Sequence, residues 1–186
     1  MPGVSSRSKR RQRGAVAVEA GILATVFFLL VFGIIEIARL MFLWNTMSAA
    51  TRRAATAVAA APLAGDHTAL LAAAAFNGVA LTDPVIDGSY LRVAYLNQAR
   101  VPITPPTSCA ARNFATCMQN PADATCVRFV RVQLCDPNGE ADACTPVEFK
   151  PLFGLPGLAT AGGLQYPTFQ TDVPAGALGY RPGDCS

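Results

Sequence analysis

The sequence predicts an α+β protein with a long N-terminal helix, a short second helix and a small antiparallel sheet stapled by disulfides. Three observations support this fold class. Residues 15–44 are apolar apart from three charged side chains, residues 45–61 are rich in alanine without Gly or Pro, and apolar residues alternate along several segments after position 90. Helical character in the first part and strand patterns in the second are the usual mark of an α+β fold.

Composition and charge indicate a membrane segment at the N-terminus. Apolar residues make up 52% of the chain and charged residues only 15%. Five basic residues and no acid occupy the first 13 positions, whereas residues 14–186 carry ten basic and twelve acidic side chains. A basic cluster beside an apolar stretch is a topology signal, and it excludes a nucleic-acid-binding domain, whose basic residues would be spread over a folded surface. We expect residues 1–13 to form a disordered basic tail on the cytoplasmic side.

The apolar helix should cross the membrane. Its uncharged stretch, residues 20–35, covers roughly 24 Å, slightly less than a hydrocarbon core of about 30 Å. Glu36 and Arg39 are three positions apart on one helical face, so they can pair near the interface, where Trp44 suits the aromatic belt. A cleaved signal peptide would have an apolar region of about 7 to 15 residues, half as long as this one. One continuous helix over residues 15–61 is expected, ending at Pro62.

The later elements follow from capping signals and alternation. Asp66 is expected to cap a helix over residues 67–76 that ends at Asn77 and Gly78, with His67 exposed in its first turn. Strands are expected at residues 90–96, 127–134 and 145–149, the last an edge strand because it contains Pro146. Residues 151–186 contain seven glycines and five prolines and are expected to be irregular.

The six cysteines predict disulfides rather than a metal site. They follow the apolar helix, on the side away from the basic tail, where oxidising conditions preserve disulfides, and no C-x-x-C pair accompanies them. Cys126 and Cys135 flank a predicted strand and would lie about 30 Å apart, too far to pair with each other. Two similar segments with eight intervening residues remain, so the economical pairing is Cys117 with Cys126 and Cys135 with Cys144, leaving Cys109 for Cys185.

The stretch RGAVAVEAGILATVFFLLVFGIIEIARL, from Arg13 to Leu40, places an acid inside an apolar run. A carboxylate at mid-membrane costs about 2.5 to 3.5 kcal/mol on insertion scales, and less near the edge. Glu19 either marks the cytoplasmic interface or has a partner. If a peptidase cut after Gly14, Ala15 would carry a free amine that Glu19 of a neighbouring chain could neutralise.

This arrangement resembles the class III signal of prepilins, and the wider segment through about Ala55 is similar to the TadE-like family of minor pseudopilins from tight-adherence (Flp) pilus systems. The resemblance implies a pilin-like fold, cleavage between Gly14 and Ala15 by a membrane prepilin peptidase, and a role for Glu19 in recognition and subunit register. Family members often have Phe after the Glu and Pro six residues after it, where this chain has Ala20 and Thr25.

The resulting domain organisation is a basic leader (1–14), a transmembrane helix (15–44), its periplasmic continuation (45–61) and an extracytoplasmic domain (62–186). The implied location is the bacterial inner membrane, crossed once, or an extracellular pilus. The implied partners are prepilin peptidase, other pseudopilins, the major Flp pilin, the inner-membrane assembly platform and membrane lipid. No nucleic acid, cofactor or metal is expected, and no nucleophile motif indicates an enzyme. Two alternatives remain open: an unprocessed membrane-anchored binding protein, and a secreted disulfide-rich protein cut by signal peptidase near Thr51.

Overall fold

The structure, a computed structural model, describes residues 6–63, 66–77, 81–82, 85–105, 109–139, 144–152, 165–176 and 178, and the side chains of the first helix from Gly14 onward. It confirms the α+β fold class. A long apolar N-terminal helix is followed by shorter helices and a four-stranded antiparallel sheet, and two disulfides close loops beside that sheet.

Helix α1 runs from Ser6 to Ala59, 54 residues, or about 80 Å. It begins inside the basic segment, so the expectation of a disordered tail is wrong from Ser6 onward. The segment contains no Gly or Pro between Ser6 and Gly14, and its Arg, Lys and Gln residues are good helix formers. Extending an existing helix needs no new nucleus, so these residues continue the apolar helix backwards. The helix ends in a tight turn, where Ala61 N donates to Val58 O, just before Pro62.

Helix α2 (Thr68–Phe76) begins one residue later than expected, so His67 and not Asp66 occupies the N-cap position. Asp66 Oδ1 accepts a hydrogen bond from Thr68 N at 2.9 Å, which satisfies one of the free amides of the first turn. Asn77 ends the helix in the left-handed conformation with φ 53°, as its predicted role requires, whereas Gly78 lies outside the described residues.

The main sheet has the strand order β4-β3-β5-β6, and every neighbouring pair is antiparallel. Strand β3 (Leu91–Leu96) pairs on one side with the two-residue β4 (Pro102–Ile103) and on the other with β5 (Phe129–Leu134). In β5 the predicted alternation places Val130, Val132 and Leu134 on the buried face. A separate short hairpin joins β1 (Leu81–Thr82) to β2 (Val85–Ile86), before a 3-10 turn at Gly88–Tyr90.

Besides the short strands β1, β2 and β4, which were not expected, three segments differ from the expectations. Helix α3 (Ala110–Gln119) was not expected, and strand β6 (Gln170–Pro174) lies in the region expected to be irregular. Residues 145–149 form one isolated bridge, Glu148 with Gln165, instead of an edge strand. Pro146 lacks the N–H that a ladder needs, yet Val147 and Phe149 are still buried. Alternate side chains of residues 145–149 are therefore buried although the segment does not form a full strand.

Both disulfides that the structure describes in full close ten-residue loops. Cys117 pairs with Cys126 and Cys135 with Cys144, with Cα atoms 5.2 and 4.9 Å apart. Cys109 is also disulfide-bonded, and its expected partner Cys185 lies outside the described residues.

The chain forms two compact units that divide α1 between Phe42 and Leu43. The first unit contains the helix up to Phe42, with Pro151 and Leu152 from the later chain. In the second unit, the last turns of α1 supply a buried stripe at helical spacing: Leu43, Met47, Ala50, Ala54 and Val58. The far part of the helix therefore belongs to the core of the second unit.

Candidate functional site in the N-terminal helix

Gly14, Ala15 and Glu19 lie on consecutive exposed turns of α1. A methyl group built on Gly14 would have no neighbour within 4 Å among the described atoms. A glycine inside a helix costs roughly 0.5 to 1 kcal/mol relative to alanine, so its presence usually answers a steric need. Here the surrounding structure imposes no such need.

Glu19 is an exposed acid in an apolar surface. It lies one turn after Ala15 on the same helical face, a rise of about 6 Å, and forms no ion pair with any described residue. Val16, Val18, Ile22 and Leu23 around it are each at least 60% exposed. A carboxylate in such surroundings is costly once a membrane or another chain covers the surface, unless a cation accompanies it.

The helix around this acid is apolar enough to span a membrane. The stretch Gly14–Ala59 contains a window with mean hydropathy 2.5, of which only 6% is buried within the structure. This makes α1 a candidate membrane anchor, and the low burial distinguishes that window of the helix from a buried core helix.

Glu36 has the opposite environment, because it is only 7% exposed. Its Oε1 accepts from Arg39 Nη1 at 3.4 Å, the pair expected from their spacing, and from the backbone N–H of Leu152 at 3.1 Å. Its Oε2 is buried without a hydrogen-bond partner among the described residues. The contact with Leu152 was not predicted, since the two residues are 116 positions apart and no local signal connects them.

Asn113 is a buried polar residue that sequence reasoning also missed. Its Oδ1 accepts from Val127 N at 2.9 Å and its Nδ2 donates to Val127 O at 3.2 Å, so one amide side chain binds both backbone groups of a single residue. The Cys117–Cys126 disulfide bridges the same two segments. These contacts hold α3 against the segment that leads into β5. The only signal for them in the sequence is the polar Asn113 within the segment NFATC.

His67 is the single histidine of the chain. His67 is half-buried rather than exposed as expected, because its Nε2 lies 3.1 Å from Tyr95 Oη. Burial raises the pKa of that Tyr95 hydroxyl. Within the described ranges, no three His, Cys, Asp or Glu side chains gather as a metal site would require.

The second unit contains an open pocket of about 410 Å³ beside α3. Its walls are mostly apolar and include Phe114 and Met118, which are 62% and 69% exposed, and Arg128, one residue before β5. An apolar pocket of this size can hold a small ligand or a side chain of another protein.

The comparisons with known proteins identify the N-terminal segment. A family model described as TadE-like protein matches residues 14–56, about a quarter of the chain. The predicted resemblance to the TadE-like family is therefore confirmed over that segment. No curated protein and no solved structure matches the chain significantly.

Proposed function

We propose that this chain, whose residues 14–56 match the TadE-like family, is a minor pseudopilin: a non-enzymatic assembly subunit of a tight-adherence (Flp) type IV pilus. The observation that carries the proposal is the exposed Glu19, one turn after Gly14 and Ala15 at the start of an exposed apolar helix and without an ion pair to any described residue. Neither the acid nor the glycine has a structural purpose within the described part of the isolated chain. Both acquire one if the chain is cut and then packed against others.

Processing after Gly14 accounts for the glycine. A peptidase that must bring its own catalytic groups against the backbone benefits from a residue without a side chain, and the basic segment keeps this end of the helix at the cytoplasmic face. Cleavage would create a cationic amine on Ala15 in an apolar surface. That amine needs a counter-charge as much as Glu19 does.

Assembly would satisfy both charges. In a bundle of such helices, the carboxylate of Glu19 on one chain neutralises the Ala15 amine of its neighbour, and the pair fixes the axial register of the two helices. The exposed apolar side chains of residues 16–42 pack against lipid before assembly and against other pseudopilins and the major pilin afterwards. The inner-membrane assembly platform would move the subunit between these two states.

The second unit would lie in the periplasm under this proposal, with the chain crossing the inner membrane once. The basic cluster before the helix and the disulfides after it both support this orientation.

The first prediction concerns processing. Because Gly14 precedes the proposed scissile bond, the mature chain should begin at Ala15. Gly14→Val should block cleavage, since a branched side chain would occupy the space that the peptidase needs. Gly21→Val is the matched control, because Gly21 is also an exposed glycine of α1 with no neighbour within 4 Å. N-terminal sequencing of membrane protein from cells with prepilin peptidase decides the result. An intact N-terminus in the parent, or equal processing of the two variants, contradicts the proposal.

The pocket beside α3 supports a second candidate function, an unprocessed membrane-anchored binding protein. The same sequencing separates the two, because this candidate keeps its leader.

Signal-peptidase cleavage near Thr51 is disfavoured by the core: Thr51 is 1% exposed, and its hydroxyl lies 3.3 Å from that of Thr171. Removing the chain before it would strip Leu43, Met47 and Ala50 from the second unit.

A further inference from the structure

The later chain touches the anchor helix at Leu152, whose backbone N–H donates to Glu36 Oε1 at 3.1 Å. Pro151 and Leu152 belong to the same compact unit as the helix up to Phe42. This hydrogen bond places residues 151–152 beside Glu36, and so fixes their position along the axis of the helix.

That level is the outer edge of the expected membrane span. Glu36 follows directly on the uncharged residues 20–35, which cover roughly 24 Å of a hydrocarbon core of about 30 Å. The shortfall of about 6 Å is roughly one helical turn, so the turn containing Glu36 is drawn towards the hydrocarbon. Residues 151–152 accompany it.

The surface at this level is apolar on both segments. The side chain of Leu152 is 56% exposed, and Ile35, Ile37 and Met41 of the helix are 44%, 60% and 60% exposed. A segment outside regular secondary structure enters an apolar layer only if its amides have acceptors, and Glu36 supplies one to Leu152. The same bond, with Arg39, gives the buried carboxylate two donors at this depth.

We propose that residues 151–152 form a second membrane contact, in which Leu152 enters the outer edge of the hydrocarbon layer of a phospholipid bilayer while Glu36 holds its backbone N–H. The lipid group that contacts Leu152 is the acyl region, because the Leu152 side chain is purely apolar and lies at the same depth as the lipid-facing surface of the helix. Glu36 acts as a positioning residue for this contact. The inference rests on the membrane orientation of α1 in the proposed function.

The test uses depth-dependent fluorescence quenching of the full chain in phosphatidylcholine vesicles, at no more than one chain per vesicle. Trp44, the single tryptophan, is first replaced by Phe, and a reporter is then introduced as Leu152→Trp, Phe28→Trp or Val101→Trp. Bromine atoms are placed either near the top or near the middle of the acyl chains. Phe28→Trp reports the span itself. Val101 is a 53% exposed apolar residue of the second unit and serves as the matched control.

The expected result is strong quenching of Leu152→Trp by shallow bromines with a blue-shifted emission, quenching of Phe28→Trp by deep bromines, and much weaker quenching of Val101→Trp. Adding Glu36→Ala to Leu152→Trp should remove most of its quenching, whereas Glu36→Gln retains an acceptor oxygen and should preserve it. If Phe28→Trp is quenched but Leu152→Trp responds no more than Val101→Trp, the second contact is refuted and the anchor stands. If Phe28→Trp is not quenched either, the membrane orientation fails as well.

Discussion

At the scale of single residues, two carboxylates of α1 show how local surroundings decide the role of an acid. Glu36 is buried, and its Oε1 accepts hydrogen bonds from Arg39 and Leu152, so partners within the chain account for that oxygen. Glu19 is exposed in an apolar surface and lacks an ion-pair partner among the described residues. The fold explains the hydrogen bonds of Glu36, whereas Glu19 indicates a partner in another molecule.

A third carboxylate, Asp172, ties β6 to β5. It accepts from Arg131 Nε at 2.7 Å and from Arg131 Nη2 at 2.9 Å, a two-bonded arrangement with both side chains less than 20% exposed. The hydrogen bond from Arg131 is the largest cause that holds the pKa of Asp172 below its ordinary value. The pair should therefore stabilise the ionised native state.

Replacing Asp172 by Asn should lower the free energy of unfolding at neutral pH by about 1.5 to 3 kcal/mol, the usual worth of a hydrogen bond to a charged group. The native pKa is depressed, so this stabilisation is present above the unfolded pKa of about 3.9 and is lost as the pH falls through the lower native value. Denaturant unfolding of parent and variant at pH 7 and at pH 3 measures both effects.

Gln170→Ala provides the control for that measurement, because Gln170 lies on the same strand in an exposed, uncharged pair with Gln133. It should change stability little at either pH. If the difference in the free energy of unfolding between Asp172→Asn and the parent stayed constant from pH 7 to pH 3, the carboxylate charge would contribute nothing to stability.

At the scale of elements, the disulfide loops provide the next prediction. Each of Cys117–Cys126 and Cys135–Cys144 closes a loop of about ten residues, and in the chain-entropy model such a loop is worth roughly 2 to 3 kcal/mol. Replacing both cysteines of the first loop by serine should lower unfolding stability by that amount, measured with the full chain in detergent. Non-reducing peptide mapping of the parent should recover the two loops intact.

Replacing both cysteines of the second loop, Cys135 and Cys144, by serine is the control for loop entropy, because both disulfides have a sequence separation of nine. Its effect should be of similar size. Six free thiols in native protein, or no loss of stability in either variant, would contradict both the pairing and the oxidising compartment.

The elements that could be predicted are those that carry their own signal. The apolar composition of α1 and the alternation in β5 are strong enough to be recognised in the sequence alone. Strand β6 has the sequence QTDVP, which is weak in strand-favouring residues, and it forms because β5 supplies hydrogen bonds and Arg131. Helix α3 buries Asn113 on its inner face, where an apolar residue would have revealed the pattern.

The candidate site divides in the same way. Gly14, Ala15 and Glu19 are local in sequence, so a motif identifies them. The contact between Glu36 and Leu152 depends on how the whole chain returns to its first helix, which no periodicity encodes.

At the scale of the whole molecule, one helix serves two purposes. Its first part exposes apolar side chains along nearly every face, and its last turns are part of the core of the second unit through residues such as Met47 and Ala54, both 0% exposed. Anchor and domain are therefore continuous through the backbone. Under the proposed function, a subunit built this way would leave the membrane only if another apolar environment received its first part, which a pilus core would provide.

The most direct test of this account is pilus formation by Glu19→Ala compared with its level in the membrane. If Glu19 only marked an interface, its removal would lower the insertion cost and leave function intact. If it neutralises the Ala15 amine of a neighbour, the variant should reach the membrane at the parent's level and yet fail to assemble, because an unpaired buried cation typically costs about 3 to 5 kcal/mol. Glu148→Ala, which removes an exposed acid elsewhere, should assemble normally. Normal pili from Glu19→Ala at a normal protein level would contradict the account.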